Sequence, residues 1–165
     1  MMAACVTRAA FVAQALAYVG TPYVHQARVP GHGMDCVAVP LLAARALGLV
    51  QAAFDITGYG PVPDGDSLRR GCEQYMQPID WAAAREGDVL LCSWQHGPPQ
   101  HLGVLVERND AAGRHYWVHA NGNPGAGIGT GAQAGGRHQV RRSRLAFGDR
   151  LMQLVACYHV PGVEA

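Results

Sequence analysis

At 165 residues, 49% of them hydrophobic and 15% charged, the chain is long enough for one buried core and too apolar to be disordered. A net charge of +1 supplies no basic field for nucleic acid and no polybasic patch for a membrane. All thirteen basic residues are arginine, which we read as codon bias of a GC-rich genome, since physics gives no reason to exclude lysine.

The apolar run at 9–19 contains Gln14 and Tyr18 and is too short to span a bilayer. Only Arg8 precedes it within reach, and it continues into Gly20-Thr21-Pro22, so it reads as a mature helix and not as a secretory signal. Thr7 is its predicted N-cap, and Phe11, Ala15, Tyr18 and Val19 form its apolar face. Residues 22–34 are a loop rich in Gly, Pro and His that carries Tyr23, His25 and His32. A second helix is predicted over 36–47, with Asp35 as N-cap and Gly48 as stop. Pro40 conflicts with that start. Counted from Asp35 it lies one position past the free donors, so either the first turn is distorted or the helix begins later.

Residues 51–65 are irregular, and a third helix runs from Asp66 or Ser67 to about Met76, ended by Pro78. After Gly87-Asp88 the pattern turns to strands, at 89–92, 102–106, 116–119, 140–145 and 151–160. Residues 109–113 are a turn between the second and third of these. The stretch 121–136 is glycine-rich and reads as a flexible rim. Helices followed by antiparallel strands make an α+β fold in one domain over 1–165.

Cysteines stand at 5, 36, 72, 92 and 157, an odd number without a CxxC pair. That disfavours a disulfide framework and a zinc ribbon and points to synthesis in a reducing compartment. Cys36 differs from the others. Just inside a helix start it would sit at the positive end of the helix dipole, which favours the nucleophilic thiolate. The competing reading is a small buried hydrophobe. The other four cysteines are expected to be core or inert. A hairpin across 109–113 would bring His101, at the start of one strand, beside His119, at the end of the next. A thiol, a base and a group orienting the base make a nucleophilic relay. Cys36, His101 and His119 are also zinc ligand types, and that reading stays open.

Five blocks in order are Gly20-Thr21-Pro22-Tyr23, Met34-Asp35-Cys36, Gly87-Asp88-Val89-Leu90, Gln100-His101-Leu102-Gly103-Val104 and Val118-His119-Ala120. Together they resemble the NlpC/P60 cysteine peptidases over roughly residues 8 to 162. Residues 21–26 and 58–65 resemble the phage-type branch found in tail-tip gene clusters. The resemblance implies a papain-like α+β fold, with the nucleophile helix packed on a C-terminal antiparallel sheet. It implies hydrolysis of stem-peptide amides in bacterial peptidoglycan, often between D-γ-glutamate and a diamino acid. It makes Cys36 the nucleophile, His101 the base, His119 the orienting group and Tyr23 an auxiliary beside the thiol, with the backbone N–H of Cys36 as an oxyanion donor. It calls for no cofactor and no metal.

The implied partners are the stem peptide and tail-tip proteins, not nucleic acid or a membrane span. The implied location is synthesis in the cytoplasm without a signal peptide and action at the cell wall on a phage or phage-like particle. A tail-tip structural protein that keeps the peptidase fold is the alternative. Val37 and Ala38 depart from the small residue and glycine usual after Asp-Cys in the family. Trp81, Trp94 and Trp117 are expected in the core, with Trp94 the candidate for substrate contact. Arg141, Arg142 and Arg144 are expected on a solvated face.

Overall fold

The computed structural model describes residues 5–62, 64–122, 138–148 and 152–164. Its first half holds β1 (Val6–Thr7), α1 (Arg8–Leu16), β2 (Arg28–Val29), β3 (Gly33–Met34), α2 (Ala38–Ala46) and α3 (Ser67–Tyr75). Its second half holds β4 (Gln77–Ile79), β5 (Val89–Trp94), β6 (His101–Glu107), β7 (His115–Ala120), β8 (Val140–Leu145), β9 (Met152–His159) and β10 (Val163–Glu164). Six strands form one antiparallel sheet in the order β4-β9-β5-β6-β7-β8. Helices α1 and α2 pack on each other and on the middle of that sheet. The α+β architecture expected from the sequence is the one observed.

The central strands β5 and β6 read as unbroken apolar runs because both of their faces are covered. Val89, Leu91, Leu102, Val104 and Val118 point into the core shared with the helices. Their alternate neighbours Leu90, Cys92, Leu105 and Trp117 fill a second cluster with Ala84, Leu145 and Met152. Gly103 lies among them for a steric reason: a Cβ there would stand 2.3 Å from the Trp117 ring. Helix α2 is buried from Ala38 to Ala44, so it has no polar face to expose. It ends in a Schellman turn, with Gly48 at φ 72 and bonds from Gly48 N to Arg45 O and from Leu49 N to Ala44 O.

Thr7 caps α1, its hydroxyl accepting from Ala10 N at 3.1 Å. A buried carboxylate then ties α1 to the sheet. Asp88 accepts from Arg8 Nη1 at 2.9 Å and from Arg85 N at 2.7 Å. The Gly87-Asp88 block is thus a structural tie.

Several expectations need correction. Helix α2 begins at Ala38, not Cys36, so Cys36 lies in the turn that leads into the helix. This resolves Pro40, which falls in the first turn where no N–H partner is lost. Pro78 does not simply end a helix; it sits in the edge strand β4, where a missing donor costs nothing on the open side. Val19 is exposed because the chain leaves the helix at Leu16. Cys5 is exposed too, its thiol donating to Glu164, whereas Cys72, Cys92 and Cys157 are buried. Beyond Asn121 and Gly122, the predicted rim at 121–136 lies outside the described residues.

Candidate active site

Cys36 and His101 line one cleft, together with Tyr23, His25, Tyr59 and Trp94. Two structures bring them there. The first is the turn that leads into α2. Asp35 Oδ1 accepts from Ala38 N at 3.0 Å, so the carboxylate holds the first helical N–H from two residues ahead of the N-cap Val37 and spans the turn that carries Cys36. The second is the β6–β7 hairpin, registered by Val104 opposite Val118 and Leu105 opposite Trp117. His101 and His119 fall on the same face by the two-residue alternation, at the sheet end next to Cys36.

The two imidazoles bond directly, His101 Nε2 to His119 Nδ1 at 2.7 Å. His119 Nε2 lies 2.9 Å from Ser143 Oγ on β8. Trp117 stacks on His119 with centroids 4.4 Å apart and meets His101 edge-on at 5.3 Å. This packing fixes both rings. One set of protons that satisfies both contacts leaves His101 free to act as a base. With the Nε2 proton of His101 donated to His119 Nδ1, the proton of His119 sits on Nε2 and is donated to Ser143. Nδ1 of His101 then keeps a lone pair and can act as a base. The zinc alternative for Cys36, His101 and His119 fails on the same geometry, because the two ring nitrogens point at each other instead of converging on one point. Among the described residues no trio of Cys, His, Asp or Glu could hold a metal.

The electrostatics run against the expected thiolate. Burial, and then the Asp35 carboxylate, push the Cys36 thiol up to about 12; backbone N–H groups of Leu102, Val37 and Cys36 itself pull the other way and lose. Burial lowers His101 to about 4. Burial, then His101 and Arg141, lower His119 to about 3. The resting site is therefore a neutral thiol beside neutral imidazoles. Tyr23 is half-buried, its hydroxyl pushed up by burial first and by Cys36 and Asp35 after that, so it stays a neutral donor. Its ring rests on Gly122, where a Cβ would stand 2.4 Å away.

Both buried histidines make stability depend on pH. Their folded values lie below the ordinary unfolded value of about 6.5, so the unfolded chain binds more protons between about 6.5 and 4. Stability is present in full above pH 6.5 and is lost as pH falls through that window, by up to about 1.4 kcal/mol per pH unit for each imidazole. The urea midpoint is expected to drop between pH 7 and pH 5, and to drop less in His119→Asn. A flat midpoint over that range would overturn the buried-neutral assignment.

The sequence reading missed Ser143, Arg28 and Tyr59. Arg28 Nη1 and the Tyr59 hydroxyl both donate to Asp35, and His25 Nδ1 stands 3.9 Å from the same carboxylate. His25 lines the cleft, whereas His32 is exposed. Arg142 and Arg144 are exposed as expected, with Ser143 turned inward between them.

No family model and no curated protein matches the chain. Among solved structures it is similar to a protein of Staphylococcus aureus subsp. aureus Mu50 described as similar to lipoprotein, NLP/P60 family. The TM-score is 0.56 and the identity 17%; the match covers 96% of this chain and 42% of that one. The chain thus spans less than half the length of that protein. Nearly the whole chain therefore follows the α+β fold of an NLP/P60-family structure, with a thiol and one imidazole lining a cleft and a second imidazole bonded to the first.

Proposed function

We propose that the chain is an NlpC/P60-type cysteine peptidase that hydrolyses stem-peptide amides of bacterial peptidoglycan, at the bond between D-γ-glutamate and a diamino acid. The observation that carries this is the 2.7 Å bond between His101 and His119 in the cleft lined by Cys36. Nε2 of His101 is committed to His119, so Nδ1 is the nitrogen that takes the thiol proton. Sγ of Cys36 then attacks the scissile carbonyl. The oxyanion is met by the backbone N–H of Cys36 and by the Tyr23 hydroxyl. His101 returns its proton to the leaving amine, which departs and leaves a thioester. Water, deprotonated by the same imidazole, releases the acid and restores the thiol. Because the resting pair is neutral, the ion pair forms only as the carbonyl is attacked. Action on a phage or phage-like tail rests on the sequence likeness at 21–26 and 58–65. No described helix is long and apolar enough to cross a membrane.

Mass spectrometry of purified peptidoglycan after digestion tests the reading. Wild type is expected to release new stem-peptide fragments whose masses identify the bond, and Cys36→Ala none. Absence of fragments from wild type across several wall types would overturn the peptidase reading in favour of a structural tail part.

A further inference from the structure

Trp94 closes β5 with 42% of its surface exposed, and it lines the same cleft as Cys36. Its ring centroid is 6.2 Å from that of His101, at a tilt of 36°. Most large apolar side chains of the sheet are buried on one face or the other; this indole is not. The backbone holds it there at a cost. Gln95 and His96, the next two residues, have φ of 49° and 59°, a left-handed conformation that such side chains rarely adopt. The turn is fastened by Gly97 N to Trp94 O at 2.8 Å and by His96 N to Gln153 Oε1 at 2.9 Å. A glycine or asparagine pair would relieve the backbone, yet the chain keeps the turn and presents the indole.

Chemistry says which part of a substrate reaches it. His101 must hand its proton to the leaving nitrogen, so the residue that carries this nitrogen lies over His101 and not beyond Cys36. Trp94 is the exposed ring next to His101. We infer that Trp94 determines specificity: its face takes the aliphatic side chain of the residue whose amine leaves. A long chain ending in an ammonium fits best, because it covers the indole with methylenes and brings a cation to the ring. This rests on the peptidase reading and adds to it the residue that selects the leaving-side diamino acid.

Two peptides test it, L-alanyl-γ-D-glutamyl-L-lysine and L-alanyl-γ-D-glutamyl-L-alanine. Binding is measured by calorimetry on Cys36→Ala protein, which needs no turnover. The lysine peptide is expected to bind about tenfold more tightly, from roughly 1.4 kcal/mol of ring contact. Adding Trp94→Ala removes the difference, and adding Trp94→Phe keeps most of it. Equal binding of the two peptides by Cys36→Ala, or an equal loss for both in Trp94→Ala, overturns the inference. Turnover of the same peptides by wild type tests the other reading separately. A preserved binding preference without any cleavage would sink the peptidase and leave Trp94 in its role.

Discussion

His101→Ala is expected to lower kcat/KM on stem peptides by about 10⁴-fold, and His119→Ala by about 10²-fold. The difference follows from where each ring sits, since His101 lines the cleft with Cys36 and His119 is not among the residues that line it. His101 alone can take the thiol proton and return it to the amine. His119 acts through it, its Nδ1 paired with His101 Nε2 at 2.7 Å and holding that ring in place. It carries no charge at rest, since burial holds it well below the ordinary imidazole value, so its loss costs orientation and not a charge pair. Ser143, one bond further out, fixes His119 in turn. Equal losses in the two variants would contradict this order. The same site predicts how the resting thiol behaves. With Cys36 pushed up to about 12, its alkylation by iodoacetamide should rise close to tenfold per pH unit from 7 to 9.5 without a plateau. A plateau below pH 8 would mean a thiolate at rest and would restore the helix-dipole expectation.

That reversal marks where the sequence stops being informative. Strand positions were legible because runs such as Val89-Leu90-Leu91-Cys92 have few other places to go than a sheet covered on both faces. The His101–His119 pairing was legible because a turn at 109–113 fixes register, and register fixes which residues share a face. The thiol's state was not legible. A helix start favours a thiolate, but the magnitude of desolvation depends on neighbours from β6 and from the 22–34 loop, which no local spacing encodes. The dipole also acts less directly than expected, because the helix begins two residues after Cys36. Ser143 was hidden for a different reason. It is a serine in a basic run, and only the pairing of β7 with β8 turns it toward His119. β4 was hidden because Pro78 signals a break, and only an edge position lets a strand keep it.

Asp35→Ala is expected to destabilise the protein by about 3–5 kcal/mol. In the sequence Asp35 was a helix cap, a role worth about 1 kcal/mol. In the structure it is far more. Its side chain is 1% exposed, and it accepts from Ala38 N, from Gln26 N at 2.8 Å, from Arg28 Nη1 at 3.0 Å and from the Tyr59 hydroxyl. Arg28 in turn donates to Tyr59 Oη at 2.7 Å, Ile56 O at 2.9 Å and Asp55 Oδ1 at 3.0 Å. One carboxylate thus joins the 22–34 loop, the irregular 51–62 segment and the start of α2, and these surround Cys36. Removing it leaves Arg28 facing a gap with only Asp55, at the surface, to offset its charge. Urea unfolding gives the size of the loss. A double-mutant cycle with Arg28→Ala gives its cause: the pair together should cost little more than Asp35→Ala alone, because each single change already breaks the same network. Additive losses would mean that the bond to Ala38 N and the ion pair act independently. Asp35→Asn separates shape from charge. The amide fills the same space but loses the negative charge that raises Cys36, so this variant should fold less stably and yet alkylate faster at Cys36 than wild type at the same pH. A slower reaction in Asp35→Asn would mean that the carboxylate presents the thiol more than it opposes its ionisation.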